Sequence, residues 1–229
     1  PIMYYENIGT PTHPKFEKQT DNKNLGFGAL SGKIEIPSFA DSDQDGDMDV
    51  FMSSTDGMVY YENTGTAMQP HFEERPDSAN SFNEIAQSLT YPIDLKDIDN
   101  DNDLDIFMGD YFSFYYIPGA TLPLTYYENT GSIHSPQFVE KALLREPGTL
   151  DIGANAYPKF VDIDNDGDQD AFIINYQWSS IGYYYENIGN ARSPQFVRQT
   201  GTANPLHDLS SNPTLIDTFI DLDGDGDWD

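Results

Sequence analysis

Several residue types are absent or scarce in this chain of 229 residues, and each shortage excludes a class of protein. There is no cysteine, which excludes disulfide frameworks, thiolate zinc sites and cysteine nucleophiles. Only 11 basic residues stand against 39 acidic ones, and the net charge of −28 has the wrong sign for a nucleic-acid-binding surface. No apolar run approaches the roughly 18 residues of a spanning helix, so we expect neither a nucleic-acid partner nor a membrane span.

Aromatic residues, by contrast, are abundant, and they lie in an internal repeat. The chain has 15 Tyr and 14 Phe, with 38% apolar residues, which is enough apolar material for a folded core. The string Tyr-Tyr-Glu-Asn occurs four times, and each copy is followed by Gly and then by Pro-x-Phe. The four copies begin at Tyr4, Tyr60, Tyr126 and Tyr184. A repeat architecture is therefore predicted.

Four acidic strings of nine residues run in step with these repeats, at residues 41–49, 97–105, 162–170 and 221–229. Each string has Asp at all five odd positions, so the four strings hold 20 of the 39 acidic residues. The aspartates are Asp41, Asp43, Asp45, Asp47 and Asp49; Asp97, Asp99, Asp101, Asp103 and Asp105; Asp162, Asp164, Asp166, Asp168 and Asp170; and Asp221, Asp223, Asp225, Asp227 and Asp229. The acidity belongs to four short loops, whereas adaptation to a salty habitat would spread acids over the whole surface.

Five carboxylates within nine residues repel one another strongly unless a cation neutralises them. Oxygen ligands at positions 1, 3, 5 and 9, a backbone carbonyl at position 7 and a glycine turn at position 6 can wrap one hard cation. Ca²⁺ suits such a loop better than Mg²⁺, because Ca²⁺ accepts many oxygens in flexible geometry. We therefore predict that all 20 aspartates belong to metal loops; an acidic loop without a ligand is the alternative.

An EF-hand is excluded by the residues that follow the loops. An EF-hand needs Glu at position 12 and flanking helices, but Met52, Met108 and Ile173 stand at that position. Apolar, aromatic-rich runs follow the first three loops, and a residue expected to be buried, Phe39, Leu95, Phe160 or Phe219, stands two residues before each loop. These runs are typical of strands, so each acidic loop is predicted to connect a β-hairpin.

Four strand candidates per repeat, recurring every 56 to 66 residues, predict an all-β protein with a β-propeller fold of four-stranded antiparallel blades. We expect one repeat array over residues 1–229. Its predicted repeats are 1–35 (a partial blade), 36–91, 92–156, 157–212 and 213–229 (a second partial blade). Exposed strand edges are normally avoided, so a segment of a larger propeller, or one completed by other chains, is expected; a closed ring of four blades is the alternative.

The Asp-x-Asp-x-Asp-Gly-x-x-Asp loop inside a four-strand repeat resembles the FG-GAP/VCBS repeats of integrin alpha-subunit propellers, certain lectins and many secreted bacterial proteins. The resemblance covers all four repeats, and it implies that each loop binds a structural Ca²⁺ between the first two strands of a blade, three to four ions in all. One departure is Asn102 at the usual glycine position, which Asn tolerates because it accepts left-handed backbone angles. The fourth loop ends at Asp229, so its outgoing strand is not in the sequence.

Candidate ligand-binding residues lie where the repeat varies in length. The interval from each Tyr-Tyr-Glu-Asn to the next acidic loop is 36 or 37 residues, but the interval from loop to next string is 19, 29 or 22. The variable connection, between the second and third strands, is predicted on the face opposite the metal loops. Its aromatic residues, which could contact a sugar or a protein or simply cap the blade, are Tyr111, Phe112, Tyr115, Tyr116, Tyr176 and Trp178.

No catalytic constellation stands out. Three of the four histidines, His13, His71 and His134, flank the repeated Pro and are expected in loops, and the Tyr-Tyr-Glu-Asn strings are expected to be structural, with Tyr between blades and Glu or Asn bonded to loop backbone. The leading hypothesis is a calcium-stabilised extracellular propeller for binding or adhesion, with a carbohydrate or protein ligand. The rival hypothesis is an enzyme, or enzyme fragment, that cleaves acidic polysaccharide as a lyase; Tyr111, Tyr116, Lys141 and Arg145 are available for it but form no pattern.

Overall fold

The structure, a computed structural model, describes residues 5–10, 12–18, 37–54, 57–76, 82, 85, 93–109, 124–141, 156–175, 183–207 and 219. Within these ranges the chain forms 14 β-strands and one short 3₁₀ turn, Gly201–Ala203. None of the helical segments described is long and apolar enough to cross a membrane. The predicted all-β class is confirmed.

Twelve of the strands form three four-stranded antiparallel sheets, each made of consecutive strands in a simple meander. The first sheet contains β3 (Pro37–Ala40), β4 (Asp49–Ser54), β5 (Gly57–Asn63) and β6 (Phe72–Glu74). The second contains β7 (Ile93–Lys96), β8 (Asp105–Met108), β9 (Thr125–Asn129) and β10 (Phe138–Lys141). The third contains β11 (Ala156–Val161), β12 (Asp170–Asn175), β13 (Tyr183–Asn187) and β14 (Phe196–Gln199). A separate two-stranded sheet pairs β1 (Tyr5–Asn7) with β2 (Phe16–Lys18).

The predicted strand pattern of the repeat is therefore confirmed in three copies. In each sheet an acidic loop connects the first and second strands, Tyr-Tyr-Glu-Asn ends the third strand, and the Pro-x-Phe run begins the fourth. Because the sheets are antiparallel meanders, the second strand ends and the third strand begins at the end of the sheet opposite the acidic loop. The four-stranded sheets are confirmed, whereas their arrangement as propeller blades stays a prediction.

Aromatic residues on the middle strands form the core between neighbouring sheets. In the three four-stranded sheets, the first Tyr of Tyr-Tyr-Glu-Asn faces a Phe across the strand pair: Phe107 stacks on Tyr126, with ring centroids 4.8 Å apart. Phe107 is fully buried and also contacts Phe160 of the third sheet at 3.9 Å. The prediction that this Tyr packs between repeats is thus confirmed at Tyr60 and Tyr126, which lie in the two clusters between sheets.

One predicted core residue is exposed. Leu95 and Phe160 are 7% and 5% exposed, because a Phe of the preceding sheet lies in the same core cluster. Phe39 has the same place in the first sheet but is 46% exposed. The expectation that Phe39 is buried is therefore corrected: its strand begins the first of the three four-stranded sheets, whereas Leu95 and Phe160 each pack against the four-stranded sheet before their own.

A buried polar contact also joins the second and third sheets through their first strands. Asp94 on β7 accepts a hydrogen bond from the backbone N–H of Phe160 at 3.1 Å and pairs with the Lys159 ammonium at 3.3 Å. Burial raises the pKa of Asp94, and the Lys159 charge opposes that rise. The first strands of the second and third sheets, each of which leads into an acidic loop, are thereby held side by side.

Candidate metal centres

Each acidic loop makes two left-handed turns of the backbone. With its nine positions numbered from the first Asp, position 6 has a positive φ in all three described loops: Gly46 (94°), Asn102 (72°) and Gly167 (96°). The prediction that Asn102 replaces the glycine turn is confirmed. Position 4 is also left-handed, at Gln44 (60°), Asn100 (59°) and Asn165 (60°). The sequence analysis missed this second left-handed turn. Asn at position 4 of the second and third loops and Gly at position 4 of the fourth could have indicated it, because both residue types accept a positive φ.

These turns bring the carboxylates of positions 1, 3 and 5 together. In each described loop, one oxygen from each of the three carboxylates lies within 4.8 Å of the other two. The three clusters are Asp41, Asp43 and Asp45; Asp97, Asp99 and Asp101; and Asp162, Asp164 and Asp166. Positions 7 and 9 are not members of these clusters.

Backbone N–H groups of the same loop fix the orientation of the clustered carboxylates. Asp97 accepts hydrogen bonds from the N–H groups of Asp101 at 3.1 Å and Asn102 at 3.0 Å. In the third loop, Asp162 accepts the equivalent bonds from Asp166 at 3.1 Å and Gly167 at 3.0 Å. The carboxylate at position 1 therefore fixes the backbone at positions 5 and 6 of its own loop through these hydrogen bonds. A carboxylate oxygen has two lone pairs, so it can accept such a bond and also bind a ligand.

The aspartate at position 7 is buried and incompletely bonded in every described loop. Asp47, Asp103 and Asp168 are only 6%, 7% and 6% exposed. The Oδ1 atom of each accepts no hydrogen bond within the part of the chain that the structure describes. Burial, followed by the charges of neighbouring aspartates, raises the pKa of Asp103 and of Asp168 to about 6, and raises that of Asp47 as well. Buried carboxylates without partners are costly, so this position calls for a proton or a cation.

The aspartate at position 9 connects the loop to the rest of its sheet. Asp105 is 1% exposed; its Oδ1 accepts the Asn129 N–H at 2.8 Å, and its Oδ2 accepts the Tyr126 hydroxyl at 3.3 Å and the Ile98 N–H at 3.4 Å. Burial raises the pKa of Asp105 to about 7, although these hydrogen bonds oppose the rise. Sequence reasoning assigned position 9 to the cation alone and missed this structural role.

The aspartate at position 9 accepts the same hydrogen bonds from Asn and Tyr in the other two described loops. Asp49 accepts the Asn63 N–H at 2.8 Å, and Asp170 accepts the Asn187 N–H at 2.7 Å. Tyr60 and Tyr184 donate their hydroxyls to Asp49 and Asp170 at 3.3 Å and 3.2 Å. The first Tyr and the Asn of the Tyr-Tyr-Glu-Asn that follows each described loop therefore bond the last aspartate of that loop, although the number of residues between the two motifs varies.

The Asn side chain extends this connection to the next turn. Asn129 Oδ1 accepts the backbone N–H groups of Gly131 at 3.0 Å and Gln137 at 2.9 Å, and the equivalent bonds are present at Asn7, Asn63 and Asn187. A side chain at Gly131 would place its Cβ 2.3 Å from a backbone oxygen, so only glycine fits there. The prediction that Asn bonds loop backbone is confirmed.

The Glu of the motif has a different partner. It pairs with a residue at or just after the end of the fourth strand: Glu62 with Arg75, Glu128 with Lys141 at 3.0 Å, and Glu186 with Gln199 at 2.5 Å. Glu128 and Lys141 also line a cleft of about 260 Å³ beside the second loop, together with Asp99 and Arg192. Lys141, one of the residues considered for a lyase, is thus held in an ion pair.

Several predicted site residues lie outside the described residues. They include the whole fourth loop and the candidate ligand-binding aromatics: Asp221, Asp223, Asp225, Asp227, Asp229, Tyr111, Phe112, Tyr115, Tyr116, Tyr176 and Trp178. The four histidines are described and exposed; three lie in separate turns before the Pro-x-Phe strands, and none belongs to a carboxylate cluster. This is the loop placement that the sequence predicted.

The donor set fits a hard divalent cation. Each described loop offers three convergent carboxylate oxygens, a buried carboxylate at position 7 and oxygen ligands only, which suits Ca²⁺, Mg²⁺ or Mn²⁺ rather than a softer metal. No protein-family model matches the sequence, and no curated protein is significantly similar to it. The interpretation of these loops therefore depends on their own geometry.

Proposed function

We propose that this chain is a calcium-stabilised repeat protein whose acidic loops each bind one Ca²⁺. The observation that carries the proposal is the same in all three described loops: three carboxylates converge within 4.8 Å, and a fourth lies buried with an unbonded oxygen. Repulsion at this spacing is relieved by a divalent cation, which also gives the buried oxygen a partner. Three independent copies make an accidental clustering an unsatisfactory explanation.

Calcium is the ion that the loops suit best. Ca²⁺ takes six to eight oxygens at about 2.3–2.6 Å in flexible geometry, whereas Mg²⁺ demands an octahedron and keeps several waters. Each described loop supplies carboxylates from positions 1, 3 and 5, and we propose the backbone carbonyl of position 7 as a further ligand. Such a crowded set of oxygens from one short segment favours the larger ion.

The proposed role of the ion is structural. Position 9 of each described loop accepts a hydrogen bond from the backbone N–H of the Asn that ends the third strand, and the side chain of that Asn accepts hydrogen bonds from the turn before the fourth strand. An ion that orders the loop therefore stabilises contacts with three of the four strands. Loss of the ion leaves the repulsion uncompensated and loosens the same contacts.

The arrangement of the sheets supports the propeller prediction as part of this proposal. Consecutive repeats form consecutive four-stranded meanders that share aromatic cores, and their acidic loops lie at one end. We further propose an extracellular binding or adhesion module, because loops that need abundant calcium fill best outside cells. The ligand is a carbohydrate or protein, held at the opposite end, where the repeat varies in length.

Isothermal titration of the EDTA-treated full chain with CaCl₂ tests the metal proposal. We expect three to four ions per chain and a large rise in melting temperature, with a much smaller rise when MgCl₂ is used at the same concentration. A chain that takes up no calcium, and whose melting temperature is the same in EDTA and in calcium, would refute it. A glycan array probed in calcium and in EDTA then tests the binding role, which predicts calcium-dependent retention.

A further inference from the structure

Neighbouring acidic loops are joined directly by side chains at position 4. The Gln44 amide of the first loop donates to the backbone carbonyl of Asn102 in the second loop at 2.8 Å. The Asn100 amide of the second loop donates to the carbonyl of Gly167 in the third loop at 3.1 Å. In both cases the donor is position 4 of one loop and the acceptor is position 6 of the next.

The residue that donates each of these hydrogen bonds lies between two aspartates of the carboxylate cluster in its own loop. Asn100 stands between Asp99 and Asp101, both members of the second cluster, and it has a left-handed φ of 59°. A cation drawn to those two carboxylates would fix the backbone between them and so aim the Asn100 amide at the next loop. Gln44 has the same place between Asp43 and Asp45.

The acceptor is equally close to the next cluster. The peptide unit that follows Gly167 accepts from Asn100 at its oxygen, and its N–H, which belongs to Asp168, donates to Asp166 at 3.1 Å. The corresponding unit after Asn102 accepts from Gln44, and the N–H of Asp103 donates to Asp101 at 3.0 Å. Acceptance at the oxygen polarises the peptide and strengthens donation by its N–H.

We infer that these side chains couple cation binding between neighbouring loops, so that an ion in one loop raises the affinity of the next. The inference rests on the proposed calcium binding and adds which loops are coupled: the first with the second and the second with the third, each pair reciprocally. The residue types support it, because Gln rarely adopts a left-handed φ and so has no local reason to occupy position 4. Asn165 can extend the series, whereas Gly224 of the fourth loop has no side chain to continue it.

A thermodynamic cycle on the full chain tests the coupling. The calcium affinity of the third loop is measured by NMR, from the amide signal of Gly167, with the second loop either intact or disabled by Asp99→Asn and Asp101→Asn. Each form is prepared with Asn100 and with Asn100→Gly. Glycine removes the amide but favours the left-handed turn, so a purely local role for Asn100 predicts no loss.

We expect the disabled second loop to weaken calcium binding at the third loop by roughly 2- to 10-fold, the effect of one hydrogen bond. With Asn100→Gly, disabling the second loop should weaken calcium binding at the third loop by less than about 1.5-fold. Asn100→Gln should restore the larger effect, since Gln44 performs the same role in the first loop. An equal factor with Asn and with Gly at this position would overturn the coupling while leaving calcium binding intact. A third loop that binds no calcium in any form would overturn both proposals.

Discussion

Replacing one clustered carboxylate should stabilise the protein without calcium and reduce what calcium adds. Asp99→Asn is the most informative change, because the amide oxygen can still accept the Asp101 N–H that the carboxylate accepts. Burial raises the pKa of Asp99, and the charges of Asp101 and Asp97 raise it further. The substitution removes that repulsion with little change in shape.

The size of the effect follows from the spacing of the cluster. Two unit charges 4.8 Å apart repel by about 0.9 kcal/mol even in a water-like dielectric, and Asp99 has two such neighbours. The variant should therefore gain about 2 kcal/mol of stability in EDTA, or roughly 4–8 °C in melting temperature for a chain of this size. In calcium, a site filled at 100 times its dissociation constant contributes about 2.7 kcal/mol. A 100-fold loss of affinity removes most of that, so the advantage of the variant should disappear.

Thermal denaturation of both proteins at pH 7.5, in EDTA and in calcium, measures the two effects. Glu73→Gln is the matched control: it removes the same charge from an exposed position on β6, where the ion pair with His71 at 3.6 Å joins two exposed side chains, and it should change neither melting temperature appreciably. If Asp99→Asn lowered the melting temperature in EDTA, or left the calcium-induced rise unchanged, the reasoning from repulsion to cation binding would fail.

Three further predictions concern pH, the core and the turn. In EDTA the melting temperature should fall as pH rises from about 4 to 8. The reason is that the pKa values of Asp103 and Asp105 are raised to about 6 and about 7 in the folded state, so that folding favours their protonated forms. Saturating calcium should abolish this fall, and a melting temperature in EDTA that does not change with pH would contradict the prediction. Phe107→Ala should cost about 3–5 kcal/mol in urea unfolding, against less than about 1 for the exposed Val139→Ala, and equal costs would disprove the inter-sheet core. Asn129→Ala should cost about 2 kcal/mol by the same assay, since two backbone N–H groups lose their acceptor; a neutral result would remove Asn129 from the turn.

The strand order and the acidic loops could be predicted because they are written in local, repeated patterns. The five-aspartate strings predict a cation by charge alone, and the apolar runs on either side predict a hairpin rather than two helices. The left-handed turn at Asn102 was predictable from its place in the repeat. Three copies of each pattern provide the check that a single copy would lack.

What the sequence did not predict depends on contacts between distant residues. The hydrogen bond from Tyr126 to Asp105 joins residues 21 apart, and the bond from Asn100 to Gly167 joins residues 67 apart. Neither leaves a trace in local periodicity. The burial of Phe39 was wrong for a related reason, because burial of a first-strand Phe depends on the sheet that lies against it. A repeat therefore specifies its own strands well and the contacts between repeats poorly.

A crystal structure of the chain grown in calcium, with anomalous diffraction data, is the most direct test of the metal loops. We predict one anomalous peak in each described loop, among the carboxylates of positions 1, 3 and 5, with oxygen distances of about 2.3–2.6 Å. Carboxylates pointing apart into solvent, with no peak among them at saturating calcium, would contradict the account.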